Sequence, residues 1–265
     1  MSQVRCSGWR MHGDANRARE GSVRRALLAC AVLALGCAKG SGEPALPARQ
    51  AVEWSGPRQL FVLPLNVTIK VPPELEPRLD DVFGAIVGYI RSGGNKVETF
   101  SRKDAVSRWA LSIVEVKRSE ALEDNFSSAM RVFVRELAKG RSFDAVVAPS
   151  LVYRATKVRE RTAKWDGVFR KFDVVNLSDV AKKQGLAQSL SVDISGVSLH
   201  VMVFSPDGEL VFQSYGGLDL VQDVDMKNTE FTSSPKLVLK LDVLGESDHL
   251  EEGIAIAFDP YLPRR

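Results

Sequence analysis

Three short apolar runs lie in the first half of the chain beyond residue 57. Residues 59–67 and 143–153 are rich in β-branched and aromatic side chains, and residues 96–100 form a shorter run of the same kind. Such runs are typical of buried strands. Pro64 lies inside the first run, and because proline has no N–H to donate, we expect that strand to end or bulge there.

Helical periodicity separates these runs. Apolar residues recur three and four positions apart over 79–90, ahead of Gly93, and again over 105–116 and 122–137. Ser101, with Asp104 three positions later, has the spacing of a capped helix start. Strands that alternate with helices predict a sheet that begins parallel, with right-handed crossovers.

Beyond residue 150 the pattern changes to strands joined by tight turns. Asp166-Gly167 and Pro206-Asp207-Gly208 lie between strand-like flanks and predict hairpins, and apolar spacing over 249–258 predicts a last helix that ends before Pro260. The fold predicted is α/β (α+β), a mixed sheet with a β-α-β-α-α-β start followed by antiparallel β-hairpins and a C-terminal helix. One domain over 57–262 is the simplest organisation, and 227–245 stays without an assignment.

The N-terminus has the order of an export signal. Arg24-Arg25 precedes ten uncharged apolar residues, and the run ends at Gly36-Cys37. The apolar stretch is shorter than the roughly 20 residues that span a bilayer, so 1–36 is predicted to be a signal peptide rather than part of the fold. Translation from Met1 and translation from Met11 both fit.

The segment Leu33-Ala34-Leu35-Gly36-Cys37 resembles the bacterial lipobox, although that motif usually has a large aliphatic residue where Ala34 stands. The resemblance implies cleavage between Gly36 and Cys37, lipidation of Cys37 and anchoring in a membrane. Residues 37–56 are then a flexible tether, since their start is small, polar and Gly/Pro-bearing. Ala38 resembles the residue that follows the cysteine in lipoproteins sorted to the outer membrane, which implies the periplasmic face. The alternative is an ordinary cleaved signal with an incidental cysteine.

The order of elements resembles the N-terminal domain of TolB and the periplasmic domain of the CsgG curli-secretion lipoproteins. The residues that carry this resemblance are FVLPL at 61–65, FDAVVAPSL at 143–151 and VSLHVMVFSPDGELV at 197–211. It implies an envelope lipoprotein that docks other proteins or assembles with itself, and not an enzyme. A subunit of a CsgG-type secretion assembly is the first alternative, and a periplasmic hydrolase is the second.

Charge is distributed unevenly. The formal net charge of +3 comes from the predicted signal, because 1–36 holds six arginines and two acids, whereas 37–265 is close to neutral. An exported domain without a basic excess argues against nucleic acid as a partner. An apolar fraction of 45 % argues against disorder. Cys6 and Cys30 leave with the signal, so no intramolecular disulfide or cysteine metal site is expected.

Within the body, residues 154–171 are basic and residues 207–260 are acidic. The candidate interaction hairpin consists of Arg154, Lys157, Arg159, Arg161, Lys164, Trp165, Phe169, Arg170 and Lys171. One interpretation is a basic arm that grips an anionic partner or lipid headgroups, with its aromatic residues near the tip. The other is a solvated hairpin balanced by the acidic C-terminal third.

Three further sets of residues are candidates for chemistry. His200 lies on a predicted strand with Ser198 and Met202 on its side, where a cross-strand partner, either at the surface or in a second core, is favoured over a catalytic base. His249 stands in an acidic helix start, read as exposed charge rather than a metal site. Asp219, Asp223 and Asp225 lack the spacing of a calcium loop and are expected on one solvent-facing side of a strand. No catalytic residue, metal or cofactor is therefore predicted.

Overall fold

The computed structural model describes residues 58–118, 125–176, 191–226 and 236–262. All of them belong to one compact unit, Pro47–Arg265, and the preceding unit, Met1–Leu46, contains no described residue. The predicted cleavage and lipidation site, Gly36 and Cys37, therefore lies outside the described residues.

The sheet begins with three parallel strands, as the alternation of strands and helices predicts. β1 (Gln59–Val62) lies between β2 (Lys96–Glu98) and β3 (Ala145–Arg159), and pairs in parallel with both. β1 is shorter than its apolar run because the chain turns away at Pro64, although Leu63 and Leu65 remain fully buried. The apolar run therefore predicts which residues are buried, but it continues beyond the last residue of β1.

The connections between these strands are helical. A 3₁₀ turn (Pro73–Arg78) leads into α1 (Leu79–Ser92), and α2 (Arg102–Arg118) and α3 (Asn125–Ala138) join β2 to β3. In α1 the predicted apolar face is buried at Leu79, Val82, Ile86 and Ile90, and the helix ends at Gly93. The Ser101 hydroxyl accepts the Asp104 backbone N–H at 3.1 Å, which confirms the predicted cap of α2.

The second half of the domain is antiparallel. β4 (Thr162–Trp165) and β5 (Val168–Lys171) form a hairpin beside the end of β3, while β7 (Ser191–Phe204) pairs with the whole of β3 and β8 (Leu210–Leu220) pairs with β7. A smaller sheet joins β9 (Gln222–Asp225) to β6 (Val174–Val175) and to β10 (Lys236–Leu239). The last helix is α4 (Ser247–Phe258). The predicted α/β class and the order of its elements are confirmed.

Three apolar clusters fill the domain. On one side of the main sheet, α1 and α4 pack against inward residues such as Leu199 and Val201. On the other side, α2 and α3 cover Phe61 and Met202. The third cluster lies on that second side at the far end of β3 and β7, where the β4–β5 hairpin folds over it. The opposite side of the sheet at this far end, which includes Lys157 and Arg159, is exposed to solvent.

Candidate functional site

The candidate interaction hairpin is built from two tight reversals of direction. Glu160 and Arg161 turn the chain from β3 into β4 with φ values of 50° and 63°, and Asp166 and Gly167 turn it from β4 into β5 with φ values of 38° and 85°. Two consecutive residues in the left-handed region are the geometry of a type I′ hairpin turn, which explains the Asp-Gly pair. The register then follows without slippage, with Thr162 opposite Lys171 and Lys164 opposite Phe169.

Strand alternation divides the hairpin into an inner and an outer side. Val158, Ala163 and Val168 are fully buried, so the residues that alternate with them along each strand point outward. Six predicted interaction residues are exposed and are named here the basic face: Lys157, Arg159, Arg161, Lys164, Phe169 and Lys171.

The remaining three residues of the candidate interaction hairpin belong to the inner side. Trp165 is 7 % exposed and Arg170 is 5 % exposed, while Arg154 is half-buried. Trp165 in particular is not available near the tip for a partner. Because side chains alternate between the two sides of a strand, the charges of the hairpin lie in two environments, one buried and one exposed.

Trp165 fastens the hairpin to the main sheet. Its indole Nε1 donates to the Ser198 hydroxyl at 3.0 Å, so the polar end of a buried ring has a partner. The ring lies against Gly196 of β7 and Gly217 of β8, where a Cβ on Gly196 would come within 2.6 Å of it. Glycine inside a strand often marks such a close approach. Gly196 and Gly217 are therefore the signal in the sequence from which the contact with Trp165 could have been predicted.

A half-buried ion pair holds the turn of the hairpin. Arg154 donates to both carboxylate oxygens of Asp166, at 3.0 and 3.3 Å, and the Ser198 hydroxyl donates to the same carboxylate at 2.6 Å. The Arg154 guanidinium also lies over the Tyr215 ring, 4.8 Å from its centroid. The positive charge of Arg154 is therefore neutralised within the fold by Asp166.

Arg170 is satisfied in the same way from the other side of the hairpin. Its Nε donates to the Leu218 carbonyl at 2.9 Å and its Nη1 to the Glu252 carboxylate at 2.6 Å. Glu252 belongs to α4, so the acidic C-terminal third does balance part of the hairpin, as the second interpretation expects. The acidic residues of α4 therefore neutralise a cation of the inner side, Arg170, but none of the basic face.

The cations of the basic face have no such partners. Among the described residues, none makes an ion pair or a hydrogen bond with the charged group of Lys157, Arg159, Arg161, Lys164 or Lys171. Phe169, 61 % exposed, contacts the Lys164 ammonium group, which lies 4.9 Å from its ring centroid. The result is an outward surface that combines unpaired positive charge with one exposed aromatic ring.

His200 is a buried and neutral residue. It is 6 % exposed, stacks on Tyr215 with ring centroids 4.4 Å apart, and its Nε2 meets the Gln213 amide nitrogen at 2.9 Å. Burial, together with the nearby Arg154 charge, lowers the pKa of His200 to about 4. Ser150 faces it across β3 and β7, and its buried hydroxyl has no hydrogen-bond partner among the described residues. The predicted core position of His200 is confirmed.

Asp219 corrects the expectation of a solvent-facing row of aspartates. It is 2 % exposed, binds the Lys240 ammonium group at 3.0 and 3.1 Å and accepts the Leu244 backbone N–H at 2.9 Å. Asp223 and Asp225 follow on a separate strand, β9. Asp219 therefore binds two residues of the segment that leads into α4.

His249 is also less exposed than its acidic sequence context suggests. Its Nδ1 is buried 3.9 Å from an Asp219 carboxylate oxygen, and burial, followed by the charge of Arg170, lowers its pKa. No group of three or more His, Cys, Asp or Glu side chains in the described ranges is arranged to hold a metal ion. Within those ranges there is likewise no helix with the length and apolar character needed to cross a membrane.

Comparison of the chain with protein-family models, with curated proteins and with solved structures finds no match.

Proposed function

We propose that the chain is a membrane-anchored bacterial envelope lipoprotein whose single α/β domain acts as a non-catalytic protein-interaction module at the periplasmic face of the outer membrane. The observation that carries this proposal is the N-terminal order of Arg24-Arg25, a short apolar run and Gly36-Cys37, followed by a small polar segment. The resemblance to TolB and CsgG domains belongs to the same proposal.

The structure of the domain supports an interaction role through the basic face. A surface cation gains little from the fold itself, and here five of them stand together without an acidic partner among the described residues. The inner side of the same hairpin is held by Trp165 and by the Arg154–Asp166 pair. A rigid support beneath an unpaired charged surface is the arrangement that recognition of an anionic partner requires.

The tether determines how far the domain can lie from its membrane. Residues 37–56 are 20 in number, and a flexible chain of that length has an r.m.s. reach of roughly 25 Å. Fully extended, the same 20 residues span at most about 70 Å, which sets the upper limit on the distance between the domain and the bilayer. A lipid anchor with more than one acyl chain is stable, because each buried methylene contributes about 0.8 kcal/mol.

The test is fractionation of cells that express the full chain with Cys37→Ser. We expect the wild-type chain in the membrane fraction, resistant to a high-salt wash and released by detergent, and the variant outside the salt-washed membranes. Cys30→Ser is the matched control, since it removes a cysteine from the apolar run and leaves the predicted lipidation site intact. Salt-resistant membrane association of the Cys37→Ser chain after loss of its signal would disprove the anchor.

The same membranes test the interaction module. Chemical crosslinking before detergent extraction, followed by purification of the chain, is expected to recover specific envelope proteins or a second copy of the chain. The control is a chain in which Arg159, Arg161 and Lys164 are replaced by glutamine. Recovery of the same background proteins with and without the expressed chain would contradict the module.

A further inference from the structure

Four of the five cations of the basic face lie on three strands, β3, β4 and β5, and the fifth, Arg161, lies in the turn between β3 and β4. Arg159 pairs with Thr162, which pairs with Lys171, and continuation of the β3–β4 register places Lys157 opposite Lys164. Like charges directly opposite each other destabilise an antiparallel pair. On its other side Lys157 is opposite Asp193 of β7, so the like-charge pairing is limited to Lys157 and Lys164, whereas the inner arginines, Arg154 and Arg170, each form an ion pair.

Phe169 lies within this charged surface. It is opposite Lys164 and two residues from Lys171 on the same side of β5, and 61 % of the residue is exposed. Aromatic rings flanked by lysines suit the boundary between headgroups and acyl chains, because the ring enters the apolar layer while the ammonium groups remain with the phosphates.

Overall charge cannot produce an attraction to anionic membranes here. Residues 37–265 carry 30 basic and 31 acidic side chains, so the chain without its signal is near neutral. Any attraction must therefore be local. Salt screens exposed charges beyond a Debye length of about 8 Å, so each lysine attracts only phosphates that lie close to it. The tether compensates for modest affinity, since it holds the face at an effective concentration in the millimolar range.

We propose that the basic face binds the anionic phospholipid headgroups of the membrane in which Cys37 is anchored, and that this contact orients the domain on the bilayer. Phe169 inserts at the level of the headgroups, while Lys157, Lys164 and Lys171 contact phosphates around it. The inference rests on the proposed function, because the anchor brings the face to the membrane. It adds the class of partner that the face binds.

Vesicle binding by the chain without its lipid tests this contact independently of the anchor. The chain used is residues 37–265 with Cys37→Ser, which contains the whole compact unit Pro47–Arg265 and lacks the apolar signal. Its cosedimentation is measured with vesicles of phosphatidylcholine alone and with vesicles in which one third is phosphatidylglycerol. Binding is expected to the anionic vesicles only, and to disappear in high salt.

A pair of double variants assigns the binding to the face. Lys164→Gln with Lys171→Gln should weaken binding by about 25-fold, since each lysine near an anionic surface contributes roughly fivefold. Lys103→Gln with Lys117→Gln changes the net charge equally at two exposed positions of α2 and should leave binding unchanged. Phe169→Ser should weaken binding to the anionic vesicles even though the charge is unchanged. Circular dichroism verifies that every variant is folded.

Three results would overturn the inference: equal binding to neutral vesicles, an equal effect of the two double variants, or no vesicle binding together with lysine-dependent binding to polyglutamate. The last result would identify an acidic protein segment as the partner instead. None of them bears on lipidation, which the Cys37→Ser fractionation decides separately.

Discussion

Neighbouring basic residues of the hairpin have opposite surroundings. Arg170 is buried beside Glu252, whereas Lys171 is exposed without an ionic partner among the described residues. The sequence could have predicted this division, because Val158, Ala163 and Val168 mark the inner side by alternation. It could not have predicted that Arg170 finds Glu252, since that pair depends on how α4 packs against the hairpin.

His200 provides a prediction at the same scale. Its folded pKa of about 4 lies below the ordinary value of 6.5, so the unfolded chain takes up a proton first as the pH falls. The stabilising contribution of neutral His200 is therefore complete above pH 6.5 and is lost progressively between pH 6.5 and pH 4, by about 3 kcal/mol in total. Urea unfolding at several pH values measures the free energy of unfolding. In His200→Gln, the part of its pH dependence that comes from His200 should disappear.

An NMR titration of the His200 imidazole gives the decisive control. A midpoint at or above 6.5 in the folded protein would contradict the burial argument. His249→Gln, whose pKa is also lowered, separates the contribution of the second histidine to the same acid-induced loss.

At the scale of elements, the strands β3 and β7 are longer than predicted. The apolar run predicted a strand over 143–153, but β3 continues to Arg159 because β7 pairs with it along its whole length, from Val146–Phe204 to Arg159–Ser191. The charged residues beyond Tyr153 concealed this extension, since only one side of that part of the sheet is covered. The Asp-Gly turn and the C-terminal ends of α1 and α4, whose causes are local, were predicted correctly.

The close packing of the hairpin on β8 gives a prediction for this scale. A Cβ added at Gly217 would collide with the Val168 side chain and press on Trp165, so Gly217→Ala should destabilise the domain by about 1–3 kcal/mol through overpacking. Gly88→Ala in α1 is the matched control, because nothing lies within 4 Å of its Cβ position. It should stabilise the helix by roughly 0.5–1 kcal/mol. Urea unfolding of both variants measures the difference.

If Gly217→Ala left the free energy of unfolding unchanged, or lowered it no more than a surface substitution does, the hairpin would not be seated on the sheet as described.

At the scale of the whole molecule, the sequence predicted the class and the order of elements but not the surface. The spacing of apolar residues gave the parallel start and the hairpins because these depend on local pattern. The separation of a paired inner side from an unpaired basic face depends on a third layer, in which the β4–β5 hairpin covers one end of the sheet. The neutral overall charge of 37–265 therefore conceals a surface with a strong local charge.

At the same scale, the predicted signal and the lipobox-like segment that ends at Cys37 support the proposed anchor. The proposed contact of the basic face with phospholipids depends on that anchor, so anchoring is the claim to test first.

The mass of the N-terminal peptide of the protein purified from cell envelopes tests that claim most directly. The account predicts a chain that begins at Cys37, with lipid attached to that residue and with residues 1–36 absent. An unmodified Cys37, or a mature chain that begins elsewhere, would contradict it.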